Sequence, residues 1–75
     1  MNGSVIRTAF ENVASHISNL ETVKKLVNTL ESENLSPPEL IARLQEEIED
    51  AEVTLRTDIR ILINECRHLE SRMRR

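Results

Sequence analysis

The feature of this sequence that most limits its fold is a pair of apolar stripes separated by one strong turn signal. On both sides of the turn, apolar residues recur at steps of three and four, which is the period of an amphipathic α-helix. The first stripe consists of Ile6, Ala9, Phe10, Val13, Ile17, Leu20, Val23, Val27 and Leu30. The second consists of Ile41, Leu44, Ile48, Ala51, Leu55, Ile59, Leu62, Cys66, Leu69 and Met73. The sequence therefore predicts an all-α protein with two helical halves.

Several independent rules of helix termination agree at the corner between the stripes. Ser36 is a good N-cap, Pro37 suits the first helical position, and Glu39 completes a Ser-x-x-Glu capping box. Asn34 tolerates the left-handed conformation that often follows a helix. The two positions of a hydrophobic staple hold Leu35 and Leu40. The corner therefore predicts the end of one helix and the start of the next.

These signals predict a single domain over residues 1–75, folded as an antiparallel helical hairpin. The first helix is expected to span about 4–34, with Ser4 as its N-cap. The turn covers 34–37, and the second helix is expected to span about 37–73.

The helical pattern is coiled-coil-like but is disturbed at two positions. Ser15, Ser18 and Asn19 compete with a helix for backbone hydrogen bonds, so we expect a kink in the first helix there. In the second stripe, the step of four from Leu55 to Ile59 is a stutter, which locally unwinds a left-handed supercoil.

The stripes are wider than the seam between two helices requires. The segment 59–63 is apolar on more than one face, and such a helix is usually surrounded by protein. A two-helix core without a disulfide or metal also seldom offsets the entropy of ordering so short a chain. We therefore expect the hairpin to complete a four-helix bundle, as a homodimer or with another helical protein. The predicted interface comprises Phe10, Val13, Ile17, Leu20, Val27, Leu30, Leu44, Ile48, Leu55, Ile59, Ile61, Leu62, Ile63, Cys66 and Leu69.

Charge is segregated along the second half of the chain. Residues 37–52 contain one basic residue and six acidic ones, whereas residues 53–75 contain six basic residues and three acidic ones. Acids at the start of a helix and bases at its end interact favourably with the helix dipole, which is our first interpretation. The other is a bipolar surface that orients a partner. Acid-before-base pairs four residues apart, Glu39–Arg43 and Glu52–Arg56, are expected to support the helix.

Four arginines suggest an alternative function in nucleic-acid binding. Arg56, Arg60, Arg67 and Arg74 project from one face of the second helix, away from the apolar stripe. Such a stripe can neutralise phosphates. The net charge of -3 and the single aromatic residue argue against it, since stacking and overall positive charge are typical of such proteins. A solvated face, or a salt-bridging face for an acidic partner helix, is the preferred interpretation.

No pattern typical of catalysis, cofactor binding or metal binding occurs in the sequence. The two histidines, His16 and His68, lie in opposite halves of the chain, and His16 is expected to be a half-buried polar residue at the seam. Cys66, the single cysteine, lies in the apolar stripe, where a small core role is expected. Cys66 and His68 would point about 160° apart on a helix, which prevents them from clamping one metal ion. We expect no enzymatic activity, cofactor or metal.

The composition leads to an expectation for the cellular setting and the class of function. No apolar run of about 18 residues exists, so no membrane span is predicted. The absence of a signal-peptide pattern and the single cysteine favour an intracellular protein, cytoplasmic or nuclear. The sequence therefore predicts a non-catalytic protein-interaction or scaffold subunit of a helical complex. The alternative is a small dimeric nucleic-acid-binding regulator.

Overall fold

The computed structural model describes residues 5–73, which form four α-helices and a single 3-10 turn. The helices are α1 (Val5–Val13), α2 (Leu20–Ser32), α3 (Pro37–Asp50) and α4 (Val53–Met73), and the 3-10 turn is Ala14–His16. No strand occurs within this part of the chain, so the all-α class is confirmed. Ser4, the expected N-cap, and Arg74, the last arginine of the predicted stripe, lie outside the described residues.

Each of the two predicted long helices is divided into two shorter ones. The first helix stops at Val13 and a new helix starts at Leu20, which agrees with the expected kink. The second was expected to run unbroken over 37–73, and this is corrected, since it stops at Asp50 and restarts at Val53. The chain therefore contains two helix breaks in addition to the predicted corner.

The first break is built from backbone conformations that cannot continue a helix. Val13 lies at φ -113°, ψ 5°, and Ile17 is extended at φ -91°, ψ 126°. Asn19 precedes α2 at φ -101°, ψ 60°, and its side chain makes no capping hydrogen bond of its own. The polar residues of this segment have weak helix propensity, which lowers the cost of leaving the helix here.

The second break has no glycine or proline, and charge helps to explain it. Ala51 is extended at φ -91°, ψ 153°, and its N–H donates to the carbonyl of Ile48 at 3.2 Å. The acidic run 46–50 therefore lies at the C-terminal end of α3, where the helix dipole disfavours negative charge. The Arg56 guanidinium folds back instead, and its Nε donates to the Ala51 carbonyl at 2.9 Å. The dipole interpretation of the acidic run is thus corrected, because it assumed an uninterrupted helix.

The predicted corner is confirmed in detail. Ser36 Oγ accepts the Glu39 N–H at 3.5 Å, and the Glu39 carboxylate accepts the Ser36 N–H at 3.0 Å. The Ser36 N–H and the Ser36 hydroxyl both donate to the Glu39 carboxylate, and these two hydrogen bonds lower the pKa of Glu39. Asn34 adopts the left-handed conformation, with φ at 59°. Glu39 is therefore used in the cap, and Arg43 pairs with Glu33 across the corner rather than with Glu39.

The two breaks allow the chain to fold back on itself twice. The Arg7 guanidinium donates to Asn28 Oδ1 at 2.7 Å, which joins α1 to α2. Asn12 Nδ2 donates to Glu65 Oε2 at 2.9 Å, which joins α1 to α4. α4 packs against all three other helices and lies at the centre of the molecule. The molecule measures 34 × 23 × 21 Å, so its longest dimension is close to the roughly 31 Å length of α4 alone.

Most residues of the predicted interface lie in the core of this single chain. Those that are buried are Phe10, Val13, Ile17, Val27, Leu30, Leu44, Ile59, Leu62, Ile63 and Cys66. Those that are half-buried against this core are Ile48, Leu55, Ile61 and Leu69. Leu20 is 42% exposed, and Val53, the first residue of α4, is 73% exposed. The apolar width that suggested a partner chain is thus largely covered by the chain's own helices.

Candidate protein-interaction surface

A groove runs between α3 and α4, with a volume of about 290 Å³. It is lined by Gln45 and Ile48 from α3 and by Arg60, Ile63, Asn64 and Arg67 from α4. The four α4 residues follow one another at steps of three, one and three, so they share one face of the helix. The groove exists because the second break turns α4 back along α3.

The floor of the groove is apolar and its rim is polar. Ile63 is 5% exposed and belongs to the core, and Ile48 is half-buried beside it. The side chains of Gln45 and Asn64 are exposed amides that can both donate and accept hydrogen bonds. The volume lies at the lower limit of small-molecule sites, so the groove suits one or two side chains of a partner better than a large ligand.

Two arginines of the predicted stripe flank this floor. Arg60 and Arg67 are both exposed, and within residues 5–73 neither makes an ion pair. They lie seven positions apart on α4, which corresponds to about 10.5 Å along the helix axis. Two unpaired guanidinium groups at this spacing can bind two carboxylates of a partner, each by a forked pair of hydrogen bonds.

The structure does not place the whole predicted arginine stripe on this surface. Arg56 donates a hydrogen bond to the Ala51 carbonyl at the end of α3, so it contributes to the second break. Arg74 lies outside the described residues. Of the three stripe arginines that the structure describes, Arg60 and Arg67 line the groove.

A second cavity of about 170 Å³ lies at the corner. It is lined by Val5, Ile6, Leu30, Glu31, Asn34, Leu35 and Leu40. Leu35 and Leu40, the predicted staple residues, thus face a common space beside the core. The carboxylate of Glu31 accepts a hydrogen bond from Arg7 at 2.7 Å, so it is already used within the fold.

Asp58 is the charged residue that the sequence analysis missed. It is 1% exposed, and its carboxylate accepts the N–H of Ser18 at 2.9 Å and the N–H of Asn19 at 2.7 Å. Asn19 Nδ2 donates a third hydrogen bond at 2.9 Å. Burial raises the pKa of Asp58, but these three hydrogen bonds outweigh it, so the pKa lies below its ordinary value. The carboxylate therefore caps α2 from a distant helix.

The cysteine and the two histidines lie in different environments. Cys66 is fully buried, and this burial, with a smaller effect of Glu65, raises the pKa of its thiol to about 12. His68 is exposed, and His16 is exposed as well, so the expectation of a half-buried His16 is wrong. Among residues 5–73, no three His, Cys, Asp or Glu side chains are grouped so that they could hold a metal ion.

None of the helices formed by residues 5–73 combines the length and apolar character needed to cross a membrane. No protein-family model, no curated protein and no solved structure matches this chain. The function must therefore be argued from the residues themselves.

Proposed function

We propose that this chain is a non-catalytic protein-interaction subunit that binds an acidic amphipathic helix of a partner protein in the α3–α4 groove. The observation that carries this proposal is the pair Arg60 and Arg67, which lie on either side of an apolar floor and make no ion pair with any residue of 5–73. Charge complementarity then selects an acidic partner. The apolar floor supplies the contact that excludes water.

The groove also specifies the pattern that a partner helix needs. Two acidic residues seven positions apart would match the spacing of Arg60 and Arg67. An apolar residue between them, three or four positions from each, would face Ile48 and Ile63. Such a helix would lie beside α3 and α4 in coiled-coil-like packing. The result is a hetero-oligomeric helical bundle, which is one of the two forms expected from the sequence.

The core gives no reason to expect a second copy of this chain in the groove. The expectation of a bundle, with a second copy or with another helical protein, depended on the apolar width of segment 59–63. Ile59, Leu62 and Ile63 are now buried by the chain's own helices, which removes most of that argument. A homodimer is therefore an alternative outcome that measurement of mass can detect.

Two reactive groups, the Cys66 thiol and the Asp58 carboxylate, support the proposal that the chain is not catalytic. A thiol with a pKa of about 12 is not a nucleophile at neutral pH. The Asp58 carboxylate has its accepting positions filled by backbone and amide donors, so it is not placed to act as a general base.

The direct test is binding of a designed helical peptide of about four turns, measured by fluorescence polarisation. The peptide carries two glutamates seven positions apart and a leucine between them, matched to the groove. Combined Arg60→Glu and Arg67→Glu substitution is expected to weaken binding at least about tenfold, because two charge-assisted contacts become repulsive. Arg72→Glu is the matched control, since Arg72 is exposed on the same helix but does not line the groove.

Two further binding experiments distinguish this function from its alternatives. A peptide with glutamine in place of glutamate should bind weakly, whereas equal binding would contradict the acidic-partner proposal. An oligonucleotide tests the nucleic-acid alternative, whose binding would weaken steeply with salt. If the unaltered protein binds the oligonucleotide but not the peptide, and the Arg60 and Arg67 variant no longer binds the oligonucleotide, nucleic-acid binding would replace the proposed function.

A further inference from the structure

Asp58 acts directly on the segment that separates α1 from α2. All three of its hydrogen bonds go to Ser18 and Asn19, at the end of the first break. In a continuous helix, the N–H groups of these two residues would instead bond to the carbonyls four positions earlier, those of Ala14 and Ser15. The carboxylate therefore holds the two donors in a conformation that excludes a straight helix.

The sequence of the break does not forbid a straight helix, although its polar residues lower the helix propensity. Residues 14–19 contain no glycine or proline, and the apolar stripe keeps its helical steps through them, from Val13 to Ile17 and Leu20. Leu20 belongs to the stripe but is 42% exposed in the folded chain. A straight segment would return it to the same face as its stripe neighbours, where a second molecule could cover it.

Straightening the segment would also carry α1 away from its own core. Ile6, Ala9, Phe10 and Val13 are all buried on α1, mainly against α4. Exposing these side chains to water would cost much free energy, because their burial contributes much of the stability of so small a domain. If two copies straighten in this way, each leaves the site of its own α1 empty. The α1 helix of the other copy can fill that site, so reciprocal exchange restores every core contact.

We propose that two copies of this chain can exchange α1 by straightening residues 14–19 into a continuous helix, and that Asp58 is the lock that keeps α1 in its own molecule. This inference is independent of the α3–α4 groove. Asp58 favours the closed chain because its carboxylate has these donors only there, and a buried carboxylate without donors is costly. Removing the carboxylate shifts the balance towards the exchanged form, since the Ser18 and Asn19 N–H groups lose a charged acceptor in the closed chain but regain carbonyl acceptors in the straight helix.

The test is the mass of the Asp58→Ala protein in solution, measured by sedimentation and by light scattering on a sizing column. Asp58→Ala is expected to lower the dimer dissociation constant at least about tenfold relative to the unaltered chain. Asp50→Ala is the matched control, because Asp50 is an exposed carboxylate at the end of α3. A folded Asp58→Ala protein that stays as monomeric as the control would overturn the proposal.

A proline variant separates exchange from ordinary surface association. Ser18→Pro prevents a continuous helix, and the extended backbone of Ile17 is compatible with a following proline. Asp58→Ala combined with Ser18→Pro is therefore expected to return to monomer. A dimer that persists in this double variant would contradict exchange through a straight segment.

A second route covers the case in which Asp58→Ala fails to fold. Ser15→Ala combined with Ser18→Ala keeps Asp58 and both backbone donors, and it raises the helix propensity of the break. This pair is expected to strengthen dimerisation measurably. An unchanged dissociation constant would overturn the proposal.

Discussion

At the scale of single residues, Asp58 shows how one buried carboxylate organises a helix break. The residues that lead into α2 provide no side-chain cap for it. The carboxylate of Asp58 reaches them from α4 and accepts hydrogen bonds from both backbone N–H groups. Because the negative charge also faces the N-terminus of α2, the helix dipole favours it. The break is therefore stabilised by a residue about forty positions away.

Replacing this carboxylate should reduce stability in a pH-dependent way. The folded pKa of Asp58 lies below its ordinary value, so its stabilisation is present above that value and is lost as pH falls through the lowered pKa. Asp58→Asn is expected to cost about 1.5–3 kcal/mol at neutral pH, because hydrogen bonds to a charged group are replaced. The difference from the unaltered protein should therefore shrink as the pH falls through the lowered pKa of Asp58.

Urea denaturation at neutral and acidic pH measures this difference directly. Asp50→Asn serves as the control, because it removes a carboxylate that is exposed. A difference between the Asp58 variant and the unaltered protein that is the same at both pH values would contradict the assigned role.

Cys66 should be almost inert in the folded protein. Its thiol is fully buried and has a pKa of about 12, so very little thiolate exists near neutral pH. We expect iodoacetamide to modify the folded chain far more slowly than the chain in concentrated urea, as followed by mass spectrometry. Equal rates in the two conditions would show that Cys66 is not buried.

At the scale of helices, the sequence predicts a boundary well when its cause is local. The corner depends on Ser36, Glu39 and Asn34, whose preferences act within a few residues, and it was predicted correctly. The first break was expected because its residues have weak propensity. The second break was missed because its cause is tertiary: α4 folds back along α3, and the apolar stripe continues through Ala51.

The candidate site was predictable only in part, for the same reason. Arg60 and Arg67 were identified as exposed polar contacts from helix geometry alone. Their neighbours in the groove, Gln45 and Ile48, come from a helix that the sequence analysis placed in line with them rather than beside them. The acidic run before Ala51 was the available signal, since acids at the end of a helix oppose its dipole.

The cap at the corner should contribute a measurable part of the stability. Ser36→Ala is expected to cost about 1 kcal/mol, because it removes the acceptor of the Glu39 N–H. Ser32→Ala is a matched control, since Ser32 is exposed at the last position of α2 and its hydroxyl donates to the Thr29 carbonyl, so it caps no helix N-terminus. Equal denaturation midpoints for the two variants would contradict the capping assignment.

The second break should depend on Arg56 more than on Arg60, the next arginine along α4. Arg56→Gln is expected to cost about 0.5–1 kcal/mol, because the C-terminus of α3 loses both a hydrogen bond and a favourable charge. Arg60→Gln removes an arginine without an ion pair in the described chain and should change stability much less. Thermal unfolding of the two variants compares these effects, and the reverse order would refute this role of Arg56.

At the scale of the whole molecule, one chain covers its core about as well as an ordinary small domain. Its accessible surface is 4958 Å², against about 4,700 Å² expected for a folded monomer of this mass. Its radius of gyration is 11.3 Å, against about 11 Å expected for a compact domain of this length. A partner was expected to complete the core because two straight helices would leave their apolar stripes uncovered. Each of these helices is instead divided into two, and the four shorter helices cover the stripes themselves.

The central claim is that the chain folds alone and keeps the groove free for a different protein. Sedimentation equilibrium at micromolar concentration, combined with urea denaturation at several protein concentrations, tests it most directly. We predict a single species of 8.6 kDa that unfolds cooperatively at a midpoint independent of protein concentration. A species of twice that mass, with a midpoint that rises with protein concentration, would contradict the account.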